Sequence, residues 1–234
     1  MHPGRYVPLP PYLPAVDDME KLRLVLPRIL VLKGFVNEDE CRLLREVYNR
    51  APNPDKDTSI PMNVFTEGPA GELFSDILYR MRKLLCVNFE EDSVFDMGVM
   101  TKHNSQTHSS WIHADNCVWS PAHGGYIMNH TPLRTYTVML YFSEDVDGGE
   151  LNVGSGPGPA GNLYSMDIPA EDGTLVCMPA SEYFHHSVNP IRRGDRYALV
   201  TWYMREEDMS MAPRPLPEIQ EYIMENRDLL WTPS

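Results

Sequence analysis

Trp111-Ile112-His113-Ala114-Asp115-Asn116-Cys117 is matched far downstream by His186-Ser187-Val188-Asn189-Pro190-Ile191 and the following Gly194-Asp195-Arg196. Residues i and i+2 of an extended strand share a face, so His113 and Asp115 can point together at one ion. His186 offers a second imidazole, and Arg196 stands ten positions beyond it (196 − 186). Two imidazoles and one carboxylate on one face of a metal leave the opposite coordination positions free, a donor set suited to ferrous iron. The guanidinium adds a rigid fork of donors that grips a carboxylate in two places.

Working outward, the chain between and around these motifs is a series of short β-like segments. They are Val94–Lys102, Ser110–His113, Thr135–Phe142, Leu151–Val153, Gly173–Met178, His185–Val188 and Tyr197–Met204. Turn signals separate them, including Asp147-Gly148-Gly149 and Arg193-Gly194-Asp195. Many short strands at this spacing predict a mainly β fold, a sandwich or jelly roll.

Upstream, Leu22–Leu26 and Ile29–Leu32 flank Pro27 and read as edge strands. Asn37 with Glu40 forms a capping box, and Cys41, Leu44, Val47 and Tyr48 follow at helical spacing. A loop from Ala51 to Glu67 precedes a second helix starting near Pro69, with its stripe of Leu73, Phe74, Ile77, Leu78, Met81, Leu84 and Leu85. Both stripes need burial, and the outside of the sheet is the surface available.

The expected organisation is one domain over residues 1–234. It comprises a proline-rich arm (1–16), helical support (17–93), a jelly-roll core (94–204) and a C-terminal helix starting near Pro217 (205–234).

The bulk properties narrow the function classes. With 33 acidic and 20 basic residues the net charge is −13, a field that repels phosphate backbones and anionic lipid. Nucleic acid and membrane surfaces are therefore not expected partners. No stretch reads as a signal peptide or a bilayer-spanning segment. Cys41, Cys86, Cys117 and Cys177 show neither a C-x-x-C pair nor a dense framework, which points to reduced thiols and a cytoplasmic setting.

Each site residue has a plainer reading. His-x-Asp is a common triplet, and His113 and Asp115 gain weight only from the downstream motif. His185 and His186 are adjacent and face opposite ways on a strand, so one alone reaches the ion. His186 is assigned, with His185 as a packing residue. His103 and His108 are further candidates, and His103 reads as structural. Arg196 heads a strand whose same face carries Ala198, Val200 and Trp202, so it needs an anion there. Thr137 and Tyr141 share a face and could touch the same carboxylate, or serve simply as good strand residues.

The assembled motifs resemble the Fe(II)- and 2-oxoglutarate-dependent oxygenases of the prolyl hydroxylase type. Leu26 to Phe35 with Glu38, Glu40 and Cys41 is similar to that family's opening strand and helix. Arg134-Thr135-Tyr136-Thr137 with Tyr141 and Gly148-Gly149-Glu150 is similar to its central hairpin, and His186 to Trp202 to its closing motif. Arg196 stands where many prolyl 4-hydroxylases have lysine. His113-Ala114-Asp115-Asn116-Cys117 resembles the prolyl 3-hydroxylase (leprecan) branch more closely.

The resemblance implies a double-stranded β-helix (jelly roll, cupin-like) with N-terminal helices packed on the outside. It also implies Fe(II) held by His113, Asp115 and His186, with 2-oxoglutarate as co-substrate. Arg196, Thr137 and Tyr141 would lie at the distal carboxylate of 2-oxoglutarate, O2 would be the oxidant, and ascorbate is a candidate accessory. The implied reaction hydroxylates an unactivated C–H bond of a prolyl or related amino-acid unit and releases succinate and CO2. Asp115 argues against halogenation, because halogenating relatives lack the carboxylate.

Three alternatives stay open. They are an oxygenase acting on a free amino acid or natural-product intermediate, a non-catalytic jelly-roll binding module, and a zinc hydrolase. The segment from Val118 to Pro132 is expected to be a loop over the substrate, with Trp119, Tyr126 and His130 as contacts. Gly154–Gly161 is a second candidate lid.

Overall fold

The computed structural model describes residues 29–51, 59–62, 68–89, 93–106, 112–120, 125–129, 131–154, 165–181 and 183–205. The arm at 1–16, the segment Leu22–Leu26, the lid at 155–161 and the C-terminal helix lie outside them, as do His108 and His130.

The described chain opens with strand β1 (Leu30–Leu32), at the edge of the main sheet as Pro27 suggested. Helix α1 (Glu38–Arg50) follows. Asn37 Oδ1 accepts from the Glu40 N–H at 2.9 Å, and Glu40 Oε2 accepts from the Asn37 N–H at 2.8 Å. This reciprocal cap fixes where the helix begins. Its stripe of Cys41, Leu44, Val47 and Tyr48 is buried. After β2 (Ser59–Pro61) comes helix α2 (Gly68–Phe89), which buries Phe74, Ile77, Leu78, Met81 and Leu85.

Ten strands follow: β3 (Ser93–His103), β4 (Cys117–Ser120), β5 (Gly125–Met128), β6 (Arg134–Tyr141) and β7 (Glu144–Gly148); then β8 (Leu151–Gly154), β9 (Ser165–Ile168), β10 (Leu175–Pro179), β11 (His185–Val188) and β12 (Ile191–Arg205). The main sheet runs β1-β10-β6-β12-β3-β2, with β7 also paired to β12. A second sheet runs β11-β8-β9, and β4 pairs β5 in a hairpin of their own.

The alternation on β6 explains the layering. Tyr136, Val138 and Leu140 join the cluster containing Leu44, Tyr48, Phe74, Ile77 and Met81 from the two helices. Met139 and Tyr141 point the other way, into a second cluster with Val176, Met178 and Ala198. Leu151, Val153, Ile168 and Phe184, from β8, β9 and the approach to β11, complete that cluster. One face of the main sheet is thus covered by helices and the other by the smaller sheet, the jelly-roll arrangement with external helices expected from the sequence. Arg45 ties α1 to the sheet by donating to the Phe142 carbonyl and pairing with Asp172 at 3.0 Å.

Several expectations need correction. The segment 118–132 is not simply a loop, because 117–120 and 125–128 pair as a hairpin. Arg193-Gly194-Asp195 is not a turn between strands. It lies inside β12, where the pairing with β7 shifts register and Gly194 takes φ 78°. A glycine in the left-handed region lets a long strand bend without ending. The Ser110–His113 segment is no regular strand in its described part, where His113 makes an isolated bridge to His186.

Candidate metal centre

The bridge between His113 and His186 holds the two halves of the site together. The His113 N–H donates to the His186 carbonyl at 3.1 Å, and the His186 N–H donates back to the His113 carbonyl at 2.8 Å. Two segments distant in sequence are thereby clamped at the residues that carry the imidazoles, whose ring centroids are 4.4 Å apart. Asp115 lies on a bend just beyond. Its carbonyl accepts from Thr131 Oγ1 at 2.7 Å and from Asn129 Nδ2 at 3.1 Å, which anchors it to the foot of the β4–β5 hairpin.

One donor atom from each of His113, Asp115 and His186 lies within 4.8 Å of the others. His113 Nε2 is 3.8 Å from Asp115 Oδ1, and His186 Nε2 is 3.6 Å from Asp115 Oδ2. The Nδ1 of His186 lies 3.1 Å from the Phe184 carbonyl. A hydrogen bond there places the proton on Nδ1 and leaves Nε2 as the lone pair, the orientation that metal-bound histidines generally show.

Burial pushes the His186 pKa down, a shift that Asp115 opposes. Burial alone would push the Asp115 pKa up. The neighbouring His186, the Thr137 hydroxyl and His113 outweigh it and hold the carboxyl below its ordinary value. At His186 and Asp115 the charge states are therefore those a divalent cation needs, a neutral imidazole and an ionised carboxylate.

The inner face of the main sheet carries the rest. Arg196 is 3% exposed, its Nε donates to the Gly149 carbonyl at 2.8 Å, and its guanidinium carbon sits 4.8 Å from the centre of the Tyr141 ring. No carboxylate pairs with it among the described residues. A buried guanidinium without a counter-charge is costly, and an anion at this end of the face would offset that cost.

His103 lies directly opposite Arg196 in the β3–β12 register. Burial, and then the Arg196 charge, lower its pKa, and its Nδ1 is buried with no hydrogen-bond partner among the described residues. The reading of His103 as purely structural overlooked this position. No local signal in the sequence gives it, since it depends on which strand faces β3. A dicarboxylate keto acid, chelating at one end and anionic at the other, fits this combination of residues.

Tyr141 lies at the Arg196 end as expected, paired with Ala198. Thr137 does not. It pairs with Trp202, six residues along β12 from Arg196, or roughly 20 Å of strand. Its hydroxyl donates to Asp115 Oδ2 at 2.5 Å. The alternation that put Thr137 and Tyr141 on one face was correct, but strand length separates their roles.

His185 is buried beside His186. Trp119 and Tyr126 are register partners in the hairpin, with only their backbone described. The roles of Asn129 and Thr131 were not read from the sequence, although an Asn-x-Thr after a strand is a turn signal that could have drawn attention.

A separate acidic concavity lined by Asp145, Asp147, Glu150, Glu171 and Asp172 lies at the β7–β8 turn. Lys33, Arg45 and Arg192 pair with most of these carboxylates, and none of the metal-centre residues lines it.

Comparison with known proteins agrees with this geometry. The model of the 2OG-Fe(II) oxygenase superfamily matches residues 99–204. A PKHD-type hydroxylase from Synechococcus sp. (strain JA-2-3B'a(2-13)) is 41% identical over 76 residues, which are 31% of this chain and 30% of that protein. Prolyl 3-hydroxylase 2 of Mus musculus is 22% identical over 211 residues, 74% of this chain and 29% of the relative. The chain thus spans about a third of the length of these curated relatives.

Among solved structures, the Trichoplax adhaerens prolyl hydroxylase in complex with a hypoxia inducible factor peptide fragment superimposes with a TM-score of 0.58. The match is at 13% identity and covers 83% of this chain and 94% of that one. Among the described residues, no helix is long and apolar enough to cross a membrane. The converging triad and the jelly-roll frame thus accompany a match to the 2OG-Fe(II) oxygenase superfamily over residues 99–204 and likenesses to hydroxylases of the PKHD and prolyl types.

Proposed function

We propose that this protein is an Fe(II)- and 2-oxoglutarate-dependent dioxygenase that hydroxylates a prolyl unit within a peptide. The observation that carries this reading is the pairing of two features on one inner face. Three metal donors lie at one end, and the buried Arg196, without a carboxylate partner among the described residues, lies at the other. A zinc hydrolase or a binding module has no use for that second feature.

His113, Asp115 and His186 hold Fe(II), while Arg196, flanked by Tyr141 and His103, takes the distal carboxylate of 2-oxoglutarate. When bound, Fe(II) with 2-oxoglutarate and O2 would supply C–H hydroxylation, with succinate and CO2 as the co-products. The protein's own part is orientation and exclusion of water, for which Met139, Val176, Met178 and Ala198 provide an apolar lining.

The substrate side is the side of His113. Its imidazole is 35% exposed, whereas the Asp115 and His186 side chains are nearly closed off. Ile112, next to His113 in the chain, and Val118, in strand β4, are two of the few exposed large apolar residues among those described, at 57% and 50% exposure. Exposed apolar side chains on the segment that carries His113 suit a peptide chain better than a small molecule enclosed on all sides. The prolyl hydroxylases among the relatives support the same choice. Trp119, Tyr126 and His130 are kept as candidate substrate contacts. All four cysteines are free thiols, which accords with a reducing, cytoplasmic setting.

The test is an anaerobic titration of metal-free protein with Fe(II) and then 2-oxoglutarate, following the visible charge-transfer band of the chelated keto acid. The band is expected, and His186→Ala and Arg196→Ala should weaken it. Succinate release should then rise with proline-containing peptides and not with free proline. Folded protein that gives no band removes the oxygenase assignment. Stimulation by free proline alone removes the peptide assignment.

A further inference from the structure

Asp115 is the ligand with the least support from regular secondary structure. It lies on a bend, so no sheet ladder fixes its side chain. What fixes it comes from β6. Thr137 is fully buried in a central strand, paired with Met178 of β10 on one side and Trp202 of β12 on the other. A β-branched side chain in such a place has little χ1 freedom. Its hydroxyl must also find an acceptor, and the one it reaches is Asp115 Oδ2. The hydroxyl is therefore a donor of fixed position aimed at one carboxylate oxygen.

From this we infer that Thr137 is a positioning residue for the metal centre: its hydroxyl holds the Asp115 carboxylate in the orientation in which it would join His113 and His186 in binding an ion. This rests on the metal-centre reading above. With this donor in place the carboxylate is held facing the two imidazoles, Oδ1 at 3.8 Å from His113 Nε2 and Oδ2 at 3.6 Å from His186 Nε2. The same donor lowers the entropy cost of ordering Asp115, so removing it weakens the site even though Thr137 never touches the ion. Outer partners of this kind typically contribute 10–100-fold in metal affinity.

The experiment measures Mn(II) affinity of the full chain by the electron paramagnetic resonance signal of free Mn(II), with no turnover involved. Thr137→Val keeps the shape and removes the donor, and is expected to weaken binding by about 10–100-fold. Thr137→Ser keeps the donor and is expected to stay near the wild-type affinity. In an Asp115→Ala background, Thr137→Val should change the residual affinity little, because its effect runs through the carboxylate. Should Thr137→Val not fold, Thr137→Ala carries the same expectation.

Equal affinity of wild type and the donor-free variant overturns the inference and leaves the metal-centre reading standing. Additive losses in the Asp115→Ala background also overturn it. A wild-type protein that binds no Mn(II) overturns both.

Discussion

Replacing Arg196 with methionine should separate stability from function in opposite directions. The guanidinium is 3% exposed and meets the Gly149 carbonyl at 2.8 Å and the Tyr141 ring at 4.8 Å. The substitution forfeits a charged hydrogen bond of about 1.5–3 kcal/mol and a cation–π contact of about 0.5–2 kcal/mol. Against this stands relief of a buried charge whose desolvation costs several kcal/mol.

The terms nearly cancel, so Arg196→Met is expected to melt at or above the wild-type temperature. Adding metal and 2-oxoglutarate changes the comparison. At a concentration of about 100 times Kd, a ligand stabilises the wild type by about 2.7 kcal/mol. For a chain of this size each kcal/mol is worth about 2–4 °C, which gives a rise of about 5–11 °C. The methionine variant should show almost none of that rise. Thermal melts of Mn(II)-loaded protein, with and without 2-oxoglutarate, measure both quantities. An undiminished 2-oxoglutarate shift in the variant would refute Arg196 as the anion anchor.

Other positions give independent checks. Gly194 has φ 78°, and a Cβ there would lie 2.3 Å from the Asp145 carbonyl oxygen, so Gly194→Ala combines left-handed strain with a backbone clash. Summing about 1–2 and 1–3 kcal/mol, the cost is about 2–5 kcal/mol by urea denaturation, and a change below about 0.5 kcal/mol would contradict the bulge.

Burial, aided by Asp172, pushes the Cys41 thiol up to about 12, and burial raises Cys177 further. A thiol reagent at pH 8 should therefore modify the half-buried Cys86 first, and native-state labelling of Cys41 or Cys177 at a similar rate would count against the core packing.

His103 and His186 both sit below their ordinary value of 6.5, through burial first. The unfolded chain then binds more protons as pH falls through 6.5, and the stability these histidines contribute is lost below it. The urea midpoint of metal-free wild type should drop between pH 7.5 and 5.5 more steeply than that of His103→Gln, and parallel curves would be the contrary result.

The sequence carried the features set by short spacing. A capping box is defined within four residues, so Asn37 and Glu40 announced α1. The apolar stripe of α2 and the alternation on β6 needed nothing beyond their own periods. His113 and Asp115 form a common triplet and were legible only in combination with His186 and, ten positions on, Arg196.

The strands most easily missed, β2, β7 and β9, are short and carry polar residues such as Ser59, Asp147 and Asp167. Their strand character comes from pairing with β3, β12 and β8 and not from composition. Gly194 looked like the corner of a turn because a glycine among charged residues usually is one.

Local order determined which residues were available, which faces they shared and which elements could form. Only the tertiary arrangement decided which of them meet. Strand order placed His103 opposite Arg196, and register separated Thr137 from the anion end and aimed it at Asp115. The backbone bridge between His113 and His186 turned two remote motifs into one centre. Register and strand order are set by packing between segments that lie far apart in the chain, and no local pattern encodes a distance across the sheet.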